Sequence, residues 1–188
     1  MTGSGVLGAA SAGTQTITNN NTLAIADGSG GLASNYTLSG ATINVTIIPR
    51  TLNVSLSREY DGTTSVSGSS LTPTFDSLQG GETLALSGTG SVSTANVGSS
   101  KAVSLGSIAL AAGSGNPSNY TLNSATMNIT QRVINLDGIR AYDATTNVLS
   151  SDINTFGNIV SGETLTISGT GSVGTNSVAM NKAITIGS

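Results

Sequence analysis

The chain has 188 residues, of which 37% are hydrophobic, 3% aromatic and 8% charged, and its formal net charge is −3. With only six lysines and arginines in total, it has no basic face for nucleic acid and no polybasic contact for a membrane surface. It contains no cysteine and no histidine, which excludes disulfides, thiolate nucleophiles, imidazole bases and zinc sites built from those residues.

In chain order, apolar side chains alternate with polar ones almost throughout, which indicates half-buried β-strands. The strands are predicted at these groups: Ile43, Val45 and Ile47; Leu52, Val54 and Leu56; Leu84 and Leu86; Val103 and Leu105; Ile108 and Leu110; Tyr120 and Leu122; Met127 and Ile129; Ile134 and Leu136; Leu165 and Ile167; Ile184 and Ile186. Gly and Asp-Gly between them favour tight turns. A short helical turn is predicted only around Phe75–Gly80. No apolar run approaches the ~18 residues that span a bilayer, so we predict no membrane insertion.

Two stretches far apart in the chain are nearly the same. Gly81–Val92 and Gly162–Val173 are identical at ten of twelve positions and lie 81 residues apart. Tyr60-Asp61 recurs 82 residues later as Tyr142-Asp143, and Asn35–Leu38 recurs 84 residues later as Asn119–Leu122. Matches at nearly one spacing predict tandem repeats of about 82 residues.

The repeat divides the chain into three parts. Residues 1–48 form the C-terminal part of one repeat, 49–130 a complete repeat, and 131–188 the N-terminal part of a third. We interpret the chain as a segment of a longer array. Many short strands at this spacing predict an all-β fold of tandem, elongated, Ig-like β-sandwich modules with about seven strands each. The short junctions between repeats predict limited bending.

Five strings in the central repeat, taken in order, resemble a known family: Tyr60–Thr64, Gly81–Val92, Asn96–Lys101, Asn119–Leu122 and Ala125–Thr130. Together they resemble one YDG repeat, a module found in tandem in large secreted bacterial adhesins of the filamentous-haemagglutinin type. The resemblance implies secretion, an extracellular location on the bacterial surface, and a role in attachment or biofilm cohesion.

The third repeat departs from this pattern, because Ala144 stands where the family has Gly, and Gln131 replaces the Pro49 of the previous junction. Ala resists a positive φ. We therefore expect a different type of turn at Ala144.

The residues singled out by the repeat are Tyr60, Asp61, Gly62, Tyr142, Asp143, Tyr36 and Tyr120. We predict that they are structural. In the two Tyr-Asp motifs, the tyrosine ring is expected to fill the core while its hydroxyl bonds to the backbone, and the aspartate is expected to form a turn. The open alternative is a ligand or calcium site.

Acidic side chains provide the other candidate sites. Asp61, Asp76 and Glu82 are possible Ca²⁺ ligands, but no run of alternating acidic residues supports a metal site. Glu82 and Glu163 occupy equivalent turns, so we expect a structural role rather than a catalytic acid–base pair. We predict no cofactor, no metal and no catalytic residue.

The sequence thus favours a structural stalk or adhesive repeat region over an enzyme. Its expected partners are the neighbouring repeats of the same chain. Two alternatives stay open. In the first, each repeat binds extracellular glycan or matrix weakly and tandem copies add avidity, although the chain has no tryptophan. In the second, unpaired strand edges recruit strands from other copies of the chain and form a fibre.

Overall fold

The computed structural model describes residues 3–39 and 41–186, and the chain is all-β with several sheets. The first repeat contains the strands β1 (Val6–Leu7), β2 (Gly13–Asn19) and β3 (Asn44–Ile47). The central repeat contains β4 (Arg50–Glu59), β5 (Ser65–Ser67), β6 (Thr74–Phe75), β7 (Leu84–Ser87), β8 (Thr89–Val92), β9 (Gly98–Ser104), β10 (Ala109–Ala112) and β11 (Tyr120–Thr130). The third repeat contains β12 (Asn135–Gly138), β13 (Asn147–Leu149), β14 (Ile153–Gly157), β15 (Thr170–Val173) and β16 (Ile184–Ile186).

Helical structure in the described residues is limited to four single 3-10 turns, at Ala33–Asn35, Gly68–Ser70, Pro117–Asn119 and Ser150–Asp152. The short helical turn predicted around Phe75–Gly80 is wrong, because the segment begins in β6 and continues as bends and turns. Asp76 and Ser77 there bond back toward the residues of β4. None of the described helical segments is long and apolar enough to cross a membrane.

The central repeat is built on a six-stranded sheet with the strand order β5-β8-β9-β11-β4-β6. Its two longest strands, β4 and β11, are neighbours, and both show the period-two burial that their sequences predict. Strands β7 and β10 form a separate antiparallel pair, in which Leu84 faces Ala112 and Leu86 faces Leu110.

The core of the central repeat consists of small aliphatic side chains. Leu52, Leu56, Val66 and Met127 are the largest side chains that are almost fully buried. A second cluster joins the β7-β10 pair to the sheet, because Leu84 packs with Leu52 and Tyr120, and the partly buried side chains of Phe75, Leu78 and Leu110 surround it. With so few aromatic residues, burial of many aliphatic side chains, each worth about 1.5–3 kcal/mol, supports the fold.

The five strands described in the third repeat form two separate sheets. One has the order β12-β14 and the other β13-β15-β16. The strand predicted at Leu165 and Ile167 is absent, and that prediction is wrong. Its counterpart β7 is held by pairing with β10, and the described part of the third repeat has no counterpart of β10.

The chain divides into two compact units whose boundaries differ from those of the sequence repeats. One unit contains the residues through Arg58 together with Thr64–Thr94 and Gly98–Asn128. The other contains Glu59–Thr63, Ala95–Val97 and the residues from Ile129 onward. The second unit therefore includes the Tyr-Asp-Gly turn of the central repeat.

Candidate functional site

The four tyrosines occupy two positions of the repeat, with two copies of each position. At each position the hydroxyl of one copy bonds to a glutamate, whereas the other copy is exposed. Tyr60 corresponds to Tyr142, and Tyr120 corresponds to Tyr36. Tyr142 is 65% exposed and Tyr36 is 70% exposed. The prediction that Tyr142 fills a core is therefore wrong. Sequence equivalence does not give two residues the same surroundings.

Tyr120 is the most buried tyrosine and begins β11. Its ring packs against Leu52 and Leu84, and its hydroxyl donates a hydrogen bond to a carboxylate oxygen of Glu82. The same hydroxyl accepts a hydrogen bond from the backbone N–H of Gln79 at 3.3 Å. The bond to the Glu82 carboxylate raises the pKa of Tyr120, because it favours the protonated phenol. Tyr120 thus attaches the β6–β7 turn to the central sheet.

Tyr60 follows the end of β4, is half-buried, and makes the equivalent contact with a different glutamate. Its hydroxyl donates to Glu163, which occupies the position in the third repeat that Glu82 has in the central one. The Glu163 carboxylate raises the pKa of Tyr60, first through this hydrogen bond. The hydroxyl is bonded to a side chain and not to the backbone, which corrects the prediction for Tyr60. Tyr60 and Glu163 are 103 positions apart in the chain.

Arg132 adds further hydrogen bonds around Tyr60. It lies in the segment 131–134 between β11 and β12. Its guanidinium donates to the backbone oxygen of Tyr60 at 3.3 Å and to the backbone and side-chain oxygens of Asn158 at 2.7 and 2.6 Å. It also lies 3.6 Å from the carboxylate of Glu59. A planar guanidinium with several donors suits such a contact, and a lysine would supply only a single ammonium.

We call these residues the junction cluster: Glu59, Tyr60, Arg132, Asn158 and Glu163. They all belong to the second unit. Glu59 and Tyr60 come from the central repeat, and Arg132, Asn158 and Glu163 come from the third repeat. The cluster therefore connects residues near the start of the central sequence repeat with residues of the third repeat.

The two Tyr-Asp motifs have the same local turn. The carboxylate of Asp61 accepts from the backbone N–H of Thr63 at 2.9 Å, and that of Asp143 accepts from Thr145 at 3.0 Å. This local bond pattern is an Asx turn. The pKa of Asp143 is lowered, mainly by the bonds from Thr145 and to a smaller extent by the nearby Arg140 guanidinium.

The position after the aspartate has a left-handed backbone in both copies. Gly62 has φ of 76° and Ala144 has φ of 63°. The expectation of a different turn type at Ala144 is therefore wrong. The bonds from Thr145 to Asp143 hold the turn, so Ala144 accepts a conformation that normally favours glycine. At Gly62 an added Cβ would also lie 2.8 Å from a methyl group of Val160.

The acidic residues considered as calcium ligands have separate roles. Asp76 accepts bonds from the side-chain amide and backbone N–H of Asn53 at 2.7 and 3.1 Å, and these bonds lower its pKa. Asp61 holds its turn, and Glu82 accepts from Tyr120. In the part of the chain that the structure describes, no three acidic side chains converge as metal ligands. The carboxylates act here as hydrogen-bond acceptors.

The sequence analysis missed the pairing of each glutamate with a tyrosine, and it missed Arg132 altogether. A signal was present, because Glu, Tyr and the junction arginine all recur with the repeat, the last as Arg50 and Arg132. Recurrence alone does not show which tyrosine reaches which glutamate.

The central repeat is similar to a known family. Residues 44–127 match the family model of the YDG domain. No curated protein and no solved structure gives a significant match to the chain.

Proposed function

We propose that the chain, whose residues 44–127 match the family model of the YDG domain, is a structural stalk segment of an extracellular bacterial adhesin. In this proposal the repeats are elongated, Ig-like β-sandwich modules, stiffly joined in tandem. They project or link cells, and their primary partners are the adjoining repeats.

The junction cluster is the observation that carries the proposal. A stalk needs contacts that resist bending where modules meet, since small interfaces between domains normally allow motion. Tyr60, Arg132 and Glu163 supply such contacts, and the segment 131–134 between β11 and β12 leaves little slack. The ten residues of β4 correspond to about 33 Å of extended strand, so each module adds substantial length.

The composition supports the same role. A stalk does not require a pocket with convergent reactive groups, and the side chains of Tyr60, Tyr120 and Asp61 are used in hydrogen bonds and a turn. The low content of charged residues, 8%, leaves surfaces rich in Ser, Thr, Asn and Gly.

Small-angle X-ray scattering tests the stalk. Chains of one, two and three tandem copies of residues 49–130 should increase in maximum dimension by a constant step, with an unchanged cross-section. Replacing Tyr60 by Phe and Arg50, the counterpart of Arg132, by Ala in every copy should make the three-copy chain more flexible. Compact particles whose maximum dimension barely grows with copy number would contradict the proposal.

Location is tested separately. Antibodies raised against residues 49–130 should label intact bacteria that express the full-length protein. Labelling that appears only after the cells are permeabilised would contradict an extracellular role.

A further inference from the structure

The turn that presents Glu82 in the central repeat recurs around Glu163 in the third. The backbone N–H of Glu82 donates to the backbone oxygen of Gln79 at 2.9 Å, and that of Glu163 donates to the backbone oxygen of Val160 at 3.0 Å. Both glutamates lie near the start of the nearly identical strings of the two repeats. The two carboxylates are therefore presented by the same kind of turn at one position of the repeat.

Each of these glutamates accepts a hydrogen bond from a tyrosine, but the two tyrosines come from different positions of the repeat. Tyr120 donates to Glu82 of its own repeat, whereas Tyr60 donates to Glu163 of the following repeat. The acceptor atoms also differ, since Tyr120 bonds to Oε2 of its glutamate and Tyr60 bonds to Oε1. A carboxylate offers about four lone-pair sites, so a single glutamate has the capacity to accept both bonds.

Two glycines show that different segments approach the two carboxylate oxygens. A Cβ added at Gly115 would lie 3.0 Å from Oε2 of Glu82. A Cβ added at Gly62 would lie 3.7 Å from Oε1 of Glu163. Gly115 belongs to the same repeat as its glutamate, whereas Gly62 belongs to the preceding repeat. At this position of the repeat, the carboxylate is thus reached by its own repeat at one oxygen and by the preceding repeat at the other.

A contact of the first repeat places the preceding repeat beside Tyr120. The backbone N–H of Ala12 donates to the side-chain oxygen of Asn119 at 2.8 Å. Ala12 directly precedes β2, which has in its sheet the place that β9 has in the central sheet. Asn119 is the residue before Tyr120. The start of β11, where Tyr120 reaches Glu82, is therefore a place where one repeat contacts the next.

We propose that in tandem repeats the glutamate at this position accepts hydrogen bonds from two tyrosines at once, one from its own repeat and one from the repeat before it. For Glu82 these are Tyr120 and the tyrosine at the Tyr60 position of the preceding repeat. The inference rests on the proposed tandem function and deepens it. It gives the Tyr-Asp-Gly turn a defined partner, which is the Glu82 turn of the next repeat.

A shared carboxylate couples the packing inside a repeat to the contact between repeats. The bond from Tyr120 attaches the Glu82 turn to the central sheet and restricts the glutamate side chain. A side chain that is already held in place loses less conformational entropy when a second tyrosine binds it. Each tyrosine therefore strengthens the bond of the other, and the stability of one repeat depends on its neighbour, as in other repeat arrays.

Hydrogen exchange followed by mass spectrometry tests this coupling in the 188-residue chain with residues 49–130 duplicated in place. Ala85→Ser, at an exposed position of the second copy, gives the peptide that contains its Glu82 a distinct mass. Tyr60→Phe in the first copy should speed exchange of this marked peptide at least about threefold, because one hydrogen bond to Glu82 is lost. Tyr120→Phe in the second copy should speed it by at least as much.

Tyr60→Phe in the second copy is the matched control. That tyrosine donates to Glu163 and not to Glu82, so the marked peptide should exchange at an unchanged rate. Combining Tyr60→Phe in the first copy with Tyr120→Phe in the second should speed exchange by less than the product of the two single effects, because each bond depends on the other. In a chain with Glu82→Ala in the second copy, Tyr60→Phe in the first copy should have no further effect on the marked peptide.

Two outcomes would overturn the inference. One is a marked peptide whose exchange does not respond to Tyr60→Phe in the first copy. The other is a double variant in which the two single effects multiply fully or exceed their product. Neither outcome decides the scattering test of the stalk, which measures how the maximum dimension grows with copy number.

Discussion

Ala144 and Gly62 adopt the same left-handed backbone although only Ala144 has a side chain. The hydrogen bonds around the turn therefore determine its conformation more than the residue at this position does. The Asx bonds from Thr145 and Thr63 are present in both copies. An L-residue with a Cβ in this region costs about 1–2 kcal/mol. The third repeat therefore contains a small, local strain that the central repeat avoids.

Releasing this strain should stabilise the second unit. Ala144→Gly removes the steric cost but adds backbone freedom to the unfolded chain, worth about 0.5–1 kcal/mol, so we expect a net gain of up to about 1 kcal/mol. Gly62→Ala should do the opposite and cost at least about 1 kcal/mol, because the new Cβ also meets Val160 at 2.8 Å. Urea denaturation followed by circular dichroism measures both. An unchanged or lowered midpoint for Ala144→Gly would contradict this account.

The Tyr60 hydroxyl should stabilise the second unit in a pH-dependent way. Its pKa is raised above the ordinary value of 10.0, so the folded state prefers the neutral phenol. The contribution is complete below pH 10 and disappears as the pH rises through the raised pKa. Tyr60→Phe should lower the unfolding midpoint at neutral pH and flatten the loss of stability in alkali.

Tyr142→Phe is the matched control for this experiment. Tyr142 has the same place in its motif but is 65% exposed, so its hydroxyl should not affect the midpoint. Equal losses in the two variants would show that the hydrogen bond to Glu163 is not the cause.

Among the strands, side-chain hydrogen bonds connect the long strands β4 and β11 with their neighbours. Asn53 of β4 donates to Asp76, just after β6, and its own side-chain oxygen accepts from Asn123 and Ser124 of β11 at 3.0 and 2.7 Å. This network connects β6, β4 and β11 on the outer face of the sheet, opposite the buried leucines.

The Asn53–Asp76 contact should make the first unit sensitive to acid. The pKa of Asp76 is lowered below its ordinary 3.8, chiefly by the Asn53 amide, so the folded state prefers the carboxylate. This stability is present above pH 3.8 and is lost as the pH falls through the lowered pKa. Asp76→Asn should reduce stability at neutral pH and weaken its decline between about pH 4 and 2. A steeper acid decline in the variant would refute the assignment.

Apolar periodicity correctly predicts some strands and fails at others. Leu84 and Leu165 lie in almost identical strings, yet only Leu84 is in a strand. Alternation marks a segment that is able to form a half-buried strand. Such a segment becomes a strand only when a partner strand supplies backbone hydrogen bonds, and that partner is distant in sequence.

At the scale of the whole molecule, burial is concentrated in the first unit. Among the described residues, the nearly fully buried Leu52, Leu56, Val66 and Met127 all belong to it, whereas the second unit has Ile129 and Val148 below 9% exposure. Because local stability follows buried apolar contacts, the two units should differ in their resistance to opening.

Hydrogen exchange followed by mass spectrometry should reveal this difference. We expect amides of β4 and β11 to exchange far more slowly than those of β13, β15 and β16. Met127→Ala should cost about 2–5 kcal/mol and speed exchange throughout the central sheet. Uniform protection across both units would contradict the prediction.

Sequence patterns alone predict the repeat, the all-β class, most strand positions and the turns at the Tyr-Asp motifs, because period-two burial and turn chemistry act between near neighbours. The folded structure was needed to show which tyrosine meets which glutamate, that Arg132 contacts Tyr60 of the preceding repeat, and that Ala144 takes a glycine-like conformation. These features depend on contacts between residues as far apart as Tyr60 and Glu163. Such contacts depend on the strand pairing of the folded chain, which local pattern does not specify.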